Sequence, residues 1–464
     1  MNFRIVLLLI FFTSLSLHGA DNITQHGIKW SFDKDYKTGK FANGDYWVLG
    51  PVTIVGITTD LHAQGFTPGP DDDGSMLNPG GTEKQGYDGS LNSYRKELNA
   101  ALINGKRVAP DNPLVLKPGS SLVSMVSWLY RSETDAEPGI PGFNGQTKAP
   151  RPVTRSGAVL TVLSSPPPDG SFRPPYCGND KTVKFNIKNI DTSRLKNLEP
   201  VQNTPDPAQL VKELNKPWID NVHEFLGAMV HPSENMPNYG REMGKIICEA
   251  ALLLNLDFTK LPGQPKKDEL LIRFIQLGID FAGIADAGGG WPANGGHGPG
   301  RKLPILMAGV LLKDDHMMKV GEWKTRFHDD EQTFYVTKDS VEITNSKKWN
   351  PDSRAKDKEP YEAKDIGMPE WGIRHAKEPE TDNRGWNTPY RDINASVIPG
   401  MALAASIMGL RNDWKHEAYF DYAVRSMDEN QKRGIRKGTN TPDPFVMKMW
   451  EKYSSQFGLV PKGK

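Results

Sequence analysis

The sequence has almost no cysteine, no excess of charge of either sign and no long apolar run beyond its first dozen residues. Each lack excludes a class of protein. Cys177 and Cys248 are the only cysteines among 464 residues, so a zinc finger, an iron–sulfur centre or a disulfide scaffold is out of reach. One cysteine falls in each half, which leaves a bond between the halves open. Cys248 lies in the apolar stretch Ile246-Ile247-Cys248-Glu249-Ala250-Ala251, where a free thiol packs as a small hydrophobe, and that alternative stays open too. Lys plus Arg (57) nearly equals Asp plus Glu (56). No overall field therefore draws the chain to nucleic acid or to an anionic membrane, and any recognition of an anion must be local. No segment approaches twenty uninterrupted apolar residues, so no membrane span is expected. Neither GxxxxGK[ST] nor a GxGxxG after a strand occurs, and no GxSxG elbow is present, so nucleotide loops, cofactor chemistry and serine hydrolysis find no support. No cofactor is expected.

What is there begins with Arg4, an apolar run from Ile5 to Phe12 and a small, polar stretch ending at Gly19 and Ala20. That order is the order of a secretion signal: residues 1–20 are expected to be cleaved and the protein to be secreted or periplasmic.

From Ile28 to Ile190 the chain is rich in Gly and Pro and carries short β-prone runs at Tyr46–Leu49, Val52–Val55, Leu122–Val126, Ala158–Leu163 and Val183–Ile187. These predict a β-rich, sandwich-like domain over residues 21–200. The run Asp71-Asp72-Asp73-Gly74 resembles part of a calcium loop but lacks the remaining ligand spacing, so no metal is assigned. Past Asn203-Thr204-Pro205-Asp206-Pro207 the apolar spacing turns helical. It predicts helices over Ala208–Leu214, Trp218–Met229, Arg241–Leu254, Asp268–Ile284, Leu303–Leu312, Ala395–Met408 and Trp414–Met427. Strand-like runs remain at Phe334–Val336 and Val341–Ile343. The expected fold class is multidomain, α and β, with a helical domain over residues 205–464.

Two stretches carry candidate chemistry. The first, residues 288–302, reads Gly-Gly-Gly-Trp-Pro-Ala-Asn-Gly-Gly-His-Gly-Pro-Gly-Arg-Lys. Glycine at this density lets backbone approach a ligand, and Trp291, Asn294, His297 and Arg301 stand among the glycines. A linker with incidental polar residues is the plain alternative. The second runs from Glu370-Trp371-Gly372-Ile373-Arg374-His375 to Asp382-Asn383-Arg384-Gly385-Trp386-Asn387-Thr388-Pro389-Tyr390-Arg391-Asp392. Rings that stack on sugar faces and guanidinium groups that grip carboxylates suit a sugar-acid site. Singly, each residue has an ordinary role in packing or surface pairing.

An exported chain with a β-rich and a helical half, an Asn/His loop and a later Arg-x5-Tyr resembles the polysaccharide lyases built on α/α toroids, the alginate lyases and their uronate-cleaving relatives. The resemblance implies an α/α-toroid-like helical domain and β-elimination on an acidic polysaccharide or oligosaccharide. It implies Asn294, His297, Arg384 and Tyr390 as the catalytic set, with Trp291, Arg301, His375, Trp386 and Arg391 around the substrate. The chemistry needs these types: the proton alpha to a uronate carboxylate is weakly acidic, so the carboxylate must be neutralised while a base and an acid act. Asn294, Arg384 and Arg301 suit the first task, His297 and Tyr390 the second. A Tyr that serves as base needs a neighbouring guanidinium to favour its phenolate. Arg384 and Arg391 are placed in sequence to supply it.

Two other readings compete. A glycoside hydrolase needs two carboxylates, for which Asp329, Asp330 and Glu331 in His328-Asp-Asp-Glu, together with Glu234, Glu370 and Asp382, are available. The His328–Glu331 run itself reads as a solvated loop, since neighbouring residues do not all point at one metal ion. A glycan-binding protein without turnover would use Trp291, Trp371 and Trp386 as platforms.

Overall fold

The computed structural model describes residues 18–60, 69, 71–128, 142–143, 146–150, 154–222, 241–263, 265–351, 358–372, 382, 384–385, 389–433 and 442–461. Fourteen strands occur among them: β1 (His18–Gln25), β2 (Ile28–Lys40), β3 (Tyr46–Leu49), β4 (Val52–Thr59), β5 (Ser75–Leu77), β6 (Leu102–Ile103), β7 (Lys106–Arg107), β8 (Leu114–Leu116), β9 (Ser120–Ser127), β10 (Gly142–Phe143), β11 (Gln146–Pro150), β12 (Thr154–Leu163), β13 (Thr333–Tyr335) and β14 (Pro369–Trp371). Eight of them make one curled sheet in the order β5-β9-β12-β3-β2-β4-β8, with β1 on β2. This is one sheet, not the two facing sheets of a sandwich. Every pair in it is antiparallel except β12 with β3.

The two faces of the sheet do different work. On β9, Val123 and Met125 join the core shared with the helices, while Leu122 and Val126 join the sheet's own core. On β12 the same alternation sets Val159 against Ala158, Leu160 and Val162. A strand covered on both sides reads as a continuous apolar run, which is why these two were the plainest in the sequence. β1 bulges between Ala20 and Asn22. A cut after Ala20 would remove only the limb His18–Ala20 and keep the pairing of Asn22–Gln25 with Ile28–Ser31.

The C-terminal half is helical: α1 (Pro207–Glu213), α2 (Arg241–Leu253), α3 (Lys267–Asp286), α4 (Lys302–Leu312), α5 (Asp315–Met318), α6 (His328–Gln332), α7 (Lys338–Thr344), α8 (Pro389–Asn394), α9 (Ile398–Ile407), α10 (Arg411–Trp414), α11 (Glu417–Arg433) and α12 (Pro444–Tyr453). No described helix is long and apolar enough to cross a membrane. The largest apolar cluster ignores the expected boundary near residue 203, running from Met76, Val123 and Phe172 into α2, α3, α4 and α9. Cys177 and Cys248 are free and buried within it.

Several expected elements differ. Residues 218–222 form no helix where one was expected, the Asp220 amide turning back to the Trp218 carbonyl and Val222 bridging to Thr82; residues 223–229 of that stretch lie outside the described residues. Val183–Ile187 forms no strand and ends in a 3-10 turn at Ile187–Asn189. Asp73, in the run that resembles part of a calcium loop, is buried and accepts from the Thr59 hydroxyl and the Ser127 amide. Val341–Ile343 is helix, not strand: Thr337 and Ser340 form a reciprocal capping box that starts α7. Thr337→Ala is expected to cost about 1 kcal/mol, the usual worth of such a cap, read as a lower urea midpoint. An unchanged midpoint would mean that packing alone starts α7.

Candidate functional site

The glycine loop lies between α3 and α4 and is fixed at both ends by one buried carboxylate. Asp220 Oδ2 accepts from Trp291 Nε1 at 2.8 Å and from Arg301 Nε at 2.8 Å. Asp220 is itself set in place by Tyr176, whose hydroxyl accepts from the Asp220 amide and donates to the Trp218 carbonyl. Trp291 is packed against Phe281 and stacked on Phe327, with ring centroids 5.3 and 5.8 Å away. Both Trp291 and Arg301 are buried. They support the loop from beneath, and the surfaces expected to meet substrate are used inside the protein.

Helix α6 holds the loop between those ends. Successive side chains reach successive points on it: His328 Nε2 donates to the Gly295 carbonyl, and both Asp329 oxygens face the Gly300 amide at 3.2 and 3.0 Å. Asp330 pairs with Lys302 and accepts from Trp414 Nε1, and Glu331 accepts from the Ala293 amide while pairing with Arg326. The solvated loop expected for His328–Glu331 is instead a short, largely buried helix, because each polar group has a loop partner that replaces water. Burial lowers His328 to about 4, so its imidazole is neutral at pH 7, and the bond to Gly295 puts its proton on Nε2. Burial raises Asp329 to about 7, with the charge of Asp330 adding to the shift. Lys302, buried beside Asp330 and the Trp414 ring, is lowered by desolvation.

Within this frame the His297 amide donates to the Asn294 carbonyl at 3.1 Å. The amide and the imidazole therefore stand on a single turn. Gly295, at φ +62, supplies the left-handed residue that the turn requires. Asn294 is half-buried and His297 is 5 % exposed.

The second stretch is organised around Glu370 on β14, which is fully buried between two guanidinium groups: Arg391 Nη2 lies 2.9 Å and Arg425 Nη1 3.0 Å away. Arg391 also donates to the Gly385 carbonyl. It ties the entry of α8 to β14 and offers no free fork to a ligand. Trp371, next to Glu370, is fully buried. Arg384 is 23 % exposed and faces Glu362 at 2.7 Å, Glu359 at 3.2 Å and Asp365 at 3.8 Å. His375 and Trp386 lie outside the described residues, and so does the side chain of Tyr390, whose backbone is in the first turn of α8.

α6 joins the two stretches. Its last residue, Gln332, exchanges hydrogen bonds with Gly372 just past β14, while its first four hold the glycine loop. A second meeting point is Gly244 on α2, where an added Cβ would lie 3.3 Å from Val397, just before α9, and 3.4 Å from Pro299 in the loop. What sequence reasoning missed is the bracing of the loop by Asp220, which sat in an expected helix, and by α6, whose carboxylates it read as hydrolase candidates or a solvated loop. Among the described residues no group of His, Cys, Asp and Glu is arranged to hold a metal ion. Comparison with protein-family models, characterised proteins and solved structures finds no match for the chain.

Proposed function

We propose that the protein is an exported lyase that cleaves a uronate-containing polysaccharide by β-elimination, its helical half belonging to the α/α-toroid kind. The observation that carries this reading is the Asn294–His297 turn, which sets a half-buried amide and a buried imidazole on one backbone turn held on both sides, so substrate must reach the imidazole through the Asn294 side of the turn. The Asn294 amide would stabilise the charge that spreads onto the uronate carboxylate as its alpha proton leaves. His297 and Tyr390 would share the proton transfers: one takes the alpha proton, the other protonates the departing glycosidic oxygen, and a carbon–carbon double bond conjugated to the carboxylate remains. Arg384 has three carboxylates on its fork already, so a substrate carboxylate has to compete for it and the first neutralising role falls to Asn294.

Among the described residues the alternatives lose most of their groups, while Glu234 and Trp386 lie outside those residues. Of the carboxylates a hydrolase would use, Asp329 is buried under Gly300, Asp330 and Glu331 are ion-paired, and Glu370 is enclosed by two arginines. Of the indoles a glycan-binding protein would stack on, Trp291 and Trp371 are buried. The testing experiment incubates the purified protein with a panel of uronate polymers and follows the ultraviolet absorbance of a conjugated unsaturated uronate. A rise on at least one polymer is expected. Release of reducing ends without that absorbance would replace elimination by hydrolysis.

A further inference from the structure

Three consecutive carboxylates on α6 face the glycine loop, and two of them have cations: Asp330 has Lys302 and Glu331 has Arg326. Arg301, the other cation at this end of the loop, is taken by Asp220. Among the described residues no Lys or Arg forms an ion pair with Asp329, Lys302 and Arg301 acting on it only at longer range, yet it is only 2 % exposed. A buried carboxylate without a cation is costly, and the ordinary escape is to bind a proton. The side chain facing it is suited to that form. His328 keeps its proton on Nε2 and donates it in a hydrogen bond to the Gly295 carbonyl, so its buried Nδ1 carries none and lies 4.0 Å from Asp329 Oδ1, where an acid proton would find an acceptor after a shift that brings the two within bonding distance.

We infer that Asp329 is a positioning residue and proton switch for the Asn294–His297 turn: the loop is held in its observed form by the neutral carboxylic acid, and ionisation of Asp329 loosens it. What ionisation changes is the cost of keeping a charge buried: opening the loop returns water to the carboxylate, against the Gly300 amide bond, which favours the ionised form; Gly300 lies three residues beyond His297, and Gly295, held by the neighbouring His328, two residues before it. Other groups facing Asp329 are Asp330 on its own helix, Lys302 and Arg301 at the loop's end, and Tyr419 on α11. The value of about 7 lies above the ordinary 3.8, so the fold favours the protonated form. The contribution of this group is full below the ordinary value and is lost as the pH rises towards 7. His328, lowered to about 4, stays neutral over the upper part of that range. The consequence for turnover rests on the elimination reading; the consequence for the loop does not.

The experiment is hydrogen–deuterium exchange of the full chain, reading peptides that cover residues 288–302 and correcting for intrinsic exchange. Protection of the loop in the wild type should fall about tenfold between pH 5.5 and pH 7.5, within the limit of tenfold per pH unit for one proton. Asp329→Asn keeps an oxygen for the Gly300 amide and has no charge to lose, so its protection should change less than twofold over the same range. On a polymer that the wild type cleaves, the same substitution should remove a limb near pH 7 from the kcat profile and leave KM nearly unchanged. Flat loop protection in the wild type overturns the proposal without any variant, and so does a fall that persists in Asp329→Asn. Absence of turnover on every uronate polymer, with the loop still titrating, would overturn the elimination reading alone.

Discussion

His297→Ala is expected to lower turnover on a cleaved uronate polymer by about a hundredfold or more, the low end for losing a general acid–base group. The fold should persist, because the backbone of the turn is fixed by bonds that do not involve the imidazole: Ala293 to Glu331, Gly295 to His328 and Gly300 to Asp329. Tyr390→Phe should behave alike, keeping the ring and deleting the only group able to exchange a proton, so that turnover collapses while substrate binding remains. The two losses should not multiply in the double variant, since residues that act on one transition state fail together. The measurement is the initial rate of unsaturated-uronate formation, with circular dichroism to confirm folding. A folded His297→Ala protein with the wild-type rate would assign the imidazole to packing. An unaffected Tyr390→Phe would take proton transfer away from Tyr390.

The loop that carries His297 was legible in the sequence, and the parts that aim it were not. Fifteen residues containing so many glycines beside Trp, Asn, His and Arg stand out by composition alone. The braces do not, because α6 is written as His-Asp-Asp-Glu-Gln, a string that everywhere else means solvent. Only the tertiary fold, by bringing the Ala293 amide, the Gly295 carbonyl, the Gly300 amide and the Lys302 ammonium to those four side chains, turns surface residues into interior ones. Trp291, Arg301 and Arg391 illustrate the reverse error. Residue types suited to gripping a sugar acid are equally suited to bridging buried carboxylates, and here Asp220 and Glu370 take them.

Secondary structure was legible in proportion to how far local pattern and tertiary burial agree. β9, β12, α3 and α4 are buried over most of their length, each around an apolar run, and followed expectation. The strand β2 is thirteen residues long but holds Asp33-Lys34-Asp35 on its exposed part, and its apolar signal is confined to Ile28, Trp30 and Phe32. At α11 the expected start at Trp414 moves to Glu417, because Lys415 adopts φ +60 and ends the preceding α10. α12 was missed although Asp443 caps it and Pro444 occupies its first turn, the ordinary signature of a helix start.

Arg173→Ala should be the most damaging single substitution outside the loop, because this residue fastens the sheet to the helices. Its guanidinium is enclosed, with Nε 2.6 Å from Asp45 in the β2–β3 turn and Nη1 and Nη2 3.0 and 2.5 Å from the two oxygens of Asp280 on α3. Its backbone exchanges two further bonds with the Gln276 side chain. Without the guanidinium two carboxylates are left buried and uncompensated, for which a loss of about 3–5 kcal/mol is the usual scale. The loss should depend on pH in a definite direction. Burial already raises Asp280, and removing its cation raises it further, so the variant's deficit relative to wild type should shrink as the pH falls and the orphaned acids bind protons. Urea unfolding followed by tryptophan fluorescence at pH 8 and pH 5 measures both the size and the trend. A deficit under about 1 kcal/mol at pH 8, the range of an exposed ion pair, would mean that water reaches the triad and that the shared apolar core alone joins the two halves.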